Sequence, residues 1–127
     1  MIISIIPAPM PPNPVGFLPL KPVDLQLLLA LTSGELHGYG LVQAISDQTD
    51  GVVALEPGNL YRVIKRLLVD GLVVEAEHRA APDLGSERRR YYRITTLGSR
   101  VVAEELKRLH TMVLSPAARA LVQRYAT

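Results

Sequence analysis

The sequence predicts a mainly α domain of the α+β class: three short helices, a β-hairpin and a longer helix towards the C-terminus. Three observations predict it. Apolar residues recur at i, i+4, i+7 and i+8 as Leu60, Ile64, Leu67 and Leu68, which is the spacing of one helix face. Two stretches, Leu72 to His78 and Arg89 to Thr95, alternate apolar and polar residues about a loop that holds Pro82, Asp83, Gly85 and Ser86, the pattern of a hairpin. The 127 residues, 48% of them apolar, suffice for one domain with a single core.

Residues 1–22 stand apart as an arm with prolines at Pro7, Pro9, Pro11, Pro12, Pro14, Pro19 and Pro22. Proline lacks an N–H and blocks helix interiors, so the arm is expected to be extended and flexible. The alternative is an arm that packs on a partner subunit through Ile2, Ile3, Ile5, Ile6 and Phe17. The first helix starts near Val23, places Leu25, Leu28, Leu29 and Thr32 on one side, and stops at Ser33-Gly34. It is apolar almost all round, which predicts burial on more than one side. The turn GELHGYG leads into a second helix from about Tyr39 to Gln48, with Leu41 and Ile45 in its buried stripe and Val42 and Ala44 beside them.

The third helix begins at Pro57, where the missing N–H does no harm, and runs to Asp70, with Gly71 as its stop. Leu60, Ile64, Leu67 and Leu68 form its core face, with Val63 at the edge. At about 100° per residue, Arg62, Lys65 and Arg66 fall on the opposite side, with Gly58 and Asn59 at its N-terminal end. In the hairpin, Leu72, Val74 and Ala76 are expected on the core face and Glu75 and Glu77 outside; Tyr92 and Ile94 face the core from the returning strand. The long helix takes Thr95 or Thr96 as N-cap and carries Val102, Leu106, Leu109 and Val113 at heptad-like spacing. Ser115-Pro116 repeats the cap-then-proline signature, so a short last helix follows through Leu121 and Val122.

In that order the elements make a winged helix-turn-helix DNA-binding domain, residues 23–95, followed by a C-terminal dimerisation helix and tail, residues 96–127. Charge agrees. Net charge is only +2, yet Gly58 to Arg100 holds nine Lys/Arg against five Asp/Glu, and the rest of the chain five against seven. A basic helix beside a basic hairpin suits a duplex, with the helix in the major groove and the hairpin on the backbone or minor groove. Arg62, Lys65 and Arg66 are expected to neutralise phosphates or read guanine; the alternative is a solvated face. Gly58 and Asn59 would meet the duplex at the helix N-terminus, Asn59 pairing with adenine or capping the first turn. Tyr61, at the rim, would reach a phosphate or stay half in the core. Arg88, Arg89, Arg90 and Arg93 would follow backbone or minor groove from the wing. The stripe Val102, Leu106, Leu109 and Val113 would join two copies, setting their recognition helices about 34–36 Å apart on a palindromic operator; the alternative is packing on the first helix of the same chain.

Other classes find little support. His37 reads as part of the turn into the second helix rather than as a ligand, because His78 and His110 lie far from it. Gly38-x-Gly40 lacks the rest of a dinucleotide fingerprint. There is no nucleophile elbow, paired His and Cys or phosphate loop, so neither an enzyme nor a cofactor is expected. No cysteine is present, which leaves no disulfide and no thiolate metal site and suits a reducing cytoplasm. The start, MIISIIP, lacks a basic n-region, and no apolar run spans a bilayer. The rival reading is a winged-helix protein-interaction module without a DNA role.

Four segments carry a family resemblance: LLALTSGELHGYGL (Leu28 to Leu41), EPGNLYRVIKRL (Glu56 to Leu67), DGLV (Asp70 to Val73) and RRYYRITTLG (Arg89 to Gly98). Jointly they resemble the PadR family of bacterial transcriptional regulators, from about Val23 to Val113. The resemblance implies a homodimeric repressor, with the third helix in the major groove, the wing on the flanking backbone and the C-terminal helix as dimer contact. The short C-terminal part is similar to the smaller subgroup, and a hydrophobic small molecule between the subunits would be the effector. The proline-rich arm and the absence of tryptophan depart from the pattern of some relatives.

Overall fold

A computed structural model of the chain describes residues 12–76 and 90–127. A 3-10 turn, Pro14–Phe17, precedes α1 (Pro22–Leu31), β1 (Leu36–His37), α2 (Gly38–Thr49), α3 (Pro57–Val69), β2 (Val73–Ala76), β3 (Tyr91–Ile94), α4 (Thr96–Val113) and α5 (Pro116–Arg124). The expected helices and hairpin strands are present, and β1 adds a third strand. The sheet is antiparallel with β3 in the centre. Leu36 and His37 pair with Tyr92 and Tyr91 on one side of it. Val73, Val74, Glu75 and Ala76 pair with Ile94, Arg93, Tyr92 and Tyr91 on the other.

Local chemistry explains the boundaries. Proline opens α1, α3 and α5, where its fixed φ suits a first turn and its missing donor is not needed. The Thr95 hydroxyl accepts the Gly98 N–H at 2.9 Å and donates to the Gly71 carbonyl at 2.7 Å, so one side chain caps α4 and pins it to the end of α3. The Ser115 hydroxyl caps α5 through the Ala118 N–H. Gly71, at φ 75°, makes the left-handed turn between α3 and β2.

The core is one cluster: Leu27, Leu28 and Leu31 of α1, Leu41 and Ile45 of α2, Leu60, Val63, Ile64 and Leu67 of α3, Leu72, Val73 and Tyr92 of the sheet, and Val101 and Val102 of α4. α1 is buried around Leu27, Leu28, Ala30 and Leu31 while Thr32 is exposed, which fits its all-round apolarity better than the single face through Thr32. In burial, β2 departs from the expected phase only at its two valines: Leu72 and Ala76 are buried and Glu75 is exposed, as expected. Directly paired residues share a sheet face, so Val73 and Glu75 lie on the face of Ile94 and Tyr92, and Val74 and Ala76 lie on the other. Val73 is buried and Val74 only half-buried. The run Val-Val-Glu-Ala offers an apolar residue to either face, so alternation alone does not fix its phase.

The arm is also revised. Residues 12–21 lie against the body: Phe17, Leu18 and Leu20 pack on the core, and the 3-10 turn contacts α4. The Asn13 side chain accepts the Val15 N–H at 3.1 Å and shapes that turn. The Leu20 N–H donates to Glu105 Oε2 at 2.6 Å. Residues 1–11, with Ile2, Ile3, Ile5 and Ile6, lie outside the described residues.

Glu105 is 1% exposed, and its other oxygen takes a hydrogen bond from Arg108 Nε. The Arg108 bond, then the Leu20 N–H, hold its carboxyl below the usual range, against the opposing effect of burial. A depressed folded-state value stabilises above the unfolded pKa of about 4.3 and is lost as pH falls through the folded value. The parent chain should therefore lose urea resistance as pH drops from 5 towards 3. Glu105→Gln should show a flatter decline over that window; parallel declines would remove Glu105 from the acid response.

Candidate nucleic-acid interface

α3 packs its Leu60, Val63, Ile64 and Leu67 side inward, so the sequence between those positions is forced outward. Arg62 and Lys65 are exposed, and Tyr61 is 65% exposed. Gly58 and Asn59 are exposed in the first turn. Glu56 is the N-cap and makes no side-chain cap bond, so the first-turn N–H groups of α3 have no side-chain acceptor there, a feature that favours a negative group at this end. Asn59 sits inside the helix, three residues beyond the cap, which is not the capping position.

Arg66 differs from its two basic neighbours. Its guanidinium donates to Asp24 Oδ1 at 2.5 Å, so it joins α3 to the first turn of α1. On the helical wheel it lies beside Val63, at the edge of the core face, which is where α1 meets it. Its expected place on the outward face is corrected accordingly. Asp24 is 6% exposed, whereas the Arg66 side chain is over a third exposed. Losing Arg66 strands a buried carboxylate; losing Asp24 strands a cation that water can reach. Arg66→Ala should cost about 2 kcal/mol and Asp24→Ala about 1 kcal/mol, discounted for the exposure of the pair. Urea midpoints check the order, and the reverse order would contradict this account.

The sheet places the wing arginines. Arg90 Nε lies 3.8 Å from Glu75 Oε1 and Arg93 Nη1 4.0 Å from Glu35 Oε1. Both pairs are well exposed and loose, so each contributes little to stability. Arg88 and Arg89 lie outside the described residues. Tyr92 is buried in the core: burial, the Glu75 carboxylate and the Tyr61 phenol push its pKa up, and Arg90 opposes them. Glu75 pairs with Tyr92 across the sheet and lies beside Arg90.

Two residues on this side carried no expected contact. Tyr39, 75% exposed at the start of α2, stacks on His37 with ring centroids 6.5 Å apart. His37 Nδ1 accepts the Gly40 N–H at 3.0 Å and caps α2, and its ring meets Tyr91 edge-on at 5.3 Å. This is the turn role expected of His37. Val69 is exposed near the other end of the outward stripe of α3. The signal for Tyr39 was the HGYG turn, where an aromatic ring follows the helix cap instead of a core position.

The dimer stripe divides. Val102 is 3% exposed and belongs to the chain's own core, beside Val101. Leu106 and Val113 are exposed and Leu109 half-buried. The start of α4 lies on the body and contacts α1, which takes Val102; beyond Glu105 the stripe emerges. Leu114, Leu121, Val122 and Tyr125 continue an exposed apolar surface onto α5. Among the described residues no group of three or more His, Cys, Asp or Glu could hold a metal ion, and no helix is long and apolar enough to cross a membrane.

The helices α1 to α3, a three-stranded antiparallel sheet and the long α4 after it define a winged helix-turn-helix protein. The chain belongs to the PadR-like family of transcriptional regulators, whose family model matches residues 27–104. A protein of Lysinibacillus sphaericus is 33% identical over 85 residues, covering 67% of this chain and 75% of that relative. A PadR family transcriptional regulator from Eggerthella lenta is 30% identical with a TM-score of 0.54, over 68% of this chain and 72% of the other. PadR of Bacillus subtilis, solved in complex with operator DNA, shares the fold with a TM-score of 0.58 at 19% identity, over 68% of this chain and 47% of that one.

Proposed function

We propose that this regulator binds a palindromic operator in double-stranded DNA as a homodimer, in the cytoplasm, and represses transcription until a hydrophobic small molecule between the subunits changes their spacing. The observation that carries the reading is the outward side of α3: Arg62, Lys65 and Tyr61 are exposed beside an N-terminus without a side-chain cap, with Arg90 just before β3 and Arg93 on it. Lys65 and Arg62 suit phosphate and guanine, and the α3 N-terminus suits phosphate. Arg88, Arg89, Arg90 and Arg93 supply the flanking contacts. Leu106, Leu109 and Val113 form the dimer contact, since α4 presents them beyond the part that its own core covers; Val102 is not part of it. An effector must bind two spacings with different affinity to act.

The test is fluorescence anisotropy on DNA from the chain's own promoter region, with scrambled competitor and a salt series. Binding at two chains per site, selective for one sequence, should weaken with a log–log slope of about −0.9 per phosphate contact. Weak binding without sequence preference would favour the protein-interaction module. Light scattering should return twice the 13.9 kDa chain mass; a monomer at micromolar concentration would sink the dimer.

A further inference from the structure

We propose that residues 12–21 form a strap that seats α4 on the winged-helix body, and that Glu105 is the positioning residue that closes it. Its effect on DNA rests on the dimer reading above; the strap itself does not.

Glu105 lies near the middle of α4, just past Val101 and Val102 on the buried side. A carboxylate taken out of water is costly unless its oxygens are all satisfied. Leucine or methionine would fill that place without the cost. The carboxylate instead answers a need of the strap. Leu20 lies outside α1, which begins at Pro22, and belongs to no strand. Its N–H has no secondary-structure acceptor, and Glu105 Oε2 supplies one at 2.6 Å. Arg108, one turn on and partly in solvent, takes the other oxygen. Among the described residues, Arg108 is the charged group that acts on Glu105.

The strap is shaped before it is clipped. Asn13 caps its 3-10 turn, and Pro14, Pro19 and Pro22 restrict its backbone. Phe17, Leu18 and Leu20 bury apolar surface against the core. The strap then runs without a break into α1: the Lys21 carbonyl accepts the Leu25 N–H at 3.0 Å. α1 itself contacts α4. One continuous segment therefore grips α4 in three places, through the 3-10 turn, at Glu105 and through α1. Leu106, Leu109 and Val113 follow directly after the clip, so the tilt of α4 at Glu105 sets how far apart a dimer holds its two α3 helices. Opening the strap changes that distance without touching α3 or the wing.

The 127 residues include no cysteine, so Val69→Cys, at an exposed position of α3, takes a single spin label. Two readouts are compared in the parent, Glu105→Gln, Glu105→Leu and Phe17→Ala. The first is exchange of the Leu20 amide by NMR; the second is the label-to-label distance across the dimer. In the parent and in Glu105→Gln, which keeps an acceptor, Leu20 should be protected and the distance single and sharp. In Glu105→Leu, Leu20 should exchange at least about tenfold faster, the worth of one charge-assisted hydrogen bond, and the distances should shift or broaden. Phe17→Ala loosens the strap from outside α4 and should do the same if Glu105→Leu fails to fold. Equal Leu20 exchange in the parent and in both strap-opening variants would overturn the clip. Open straps with an unchanged distance would overturn the positioning role. A parent without coupling between labels is a monomer, which sinks the dimer reading and the spacing role together, while Leu20 exchange still decides the clip.

Discussion

Gly98→Ala should destabilise the chain by about 3 kcal/mol or prevent its folding. Helix propensity argues the other way, since alanine is better than glycine inside a helix by about 1 kcal/mol. Packing decides. A Cβ on Gly98 would lie 2.2 Å from the Leu72 carbonyl oxygen and 2.8 Å from Ile94 Cγ1. The carbonyl belongs to backbone that cannot swing aside: it accepts the Thr95 N–H at 3.0 Å, and Thr95 is the cap of α4. To admit a methyl group, the start of α4 must lift off the α3–β2 turn, breaking that bond and the Thr95–Gly71 contact together. Urea denaturation reads the loss, with Gly16→Ala, where a Cβ meets nothing within 4 Å, as a near-neutral control. A Gly98→Ala chain as stable as its parent would contradict the close approach of α4 to the α3–β2 turn.

The double change Arg62→Ala with Lys65→Ala should lower operator affinity by at least about a hundredfold while leaving the urea midpoint within about 0.5 kcal/mol of the parent. Both side chains are exposed and neither supports the core, so binding and stability separate cleanly. In a dimer each change acts twice. The salt dependence should also flatten, by about one slope unit for each phosphate contact removed. Arg66→Ala is the contrasting case, with a stability loss through Asp24 that precedes any effect on binding. Parent-like affinity in the double variant would remove α3 as the reading helix. An equal loss on operator and scrambled DNA would make the pair phosphate contacts without a share in sequence choice.

The sequence shows where this fold comes from at α3. Its apolar positions recur at helical spacing, Pro57 and Gly71 mark its ends, and the inward side follows at once. Arg62 and Lys65 are legible for the same reason, being opposite the core face. Arg66 is not, because a side chain at the edge of a stripe goes wherever a partner waits, and Asp24 lies 42 positions earlier in the chain. β1 is two residues long, too short for alternation to register; it exists because β3 offers it an open edge. The phase of β2 was ambiguous in a run with valine at two successive positions. Val102 sat in a sound heptad pattern, yet periodicity gives only a direction and not what covers it, and the chain's own body covers Val102 before a second copy reaches it. Glu105 and Leu20 are joined across 85 positions, and nothing in the composition of a proline-rich stretch announces a backbone donor in search of a carboxylate.

The central place of β3 has a mechanical consequence. Four residues, Tyr91 to Ile94, are bonded on one edge to the strand that enters α2 and on the other to the strand that leaves α3. A load on the wing is therefore carried to both helices through the same short segment. Graded adjustment is also closed to it: sliding β3 by one residue would turn Arg93 and Tyr91 inward and Tyr92 outward. Register thus ties the strand before α2 and the strand after α3 to a single seating of β3.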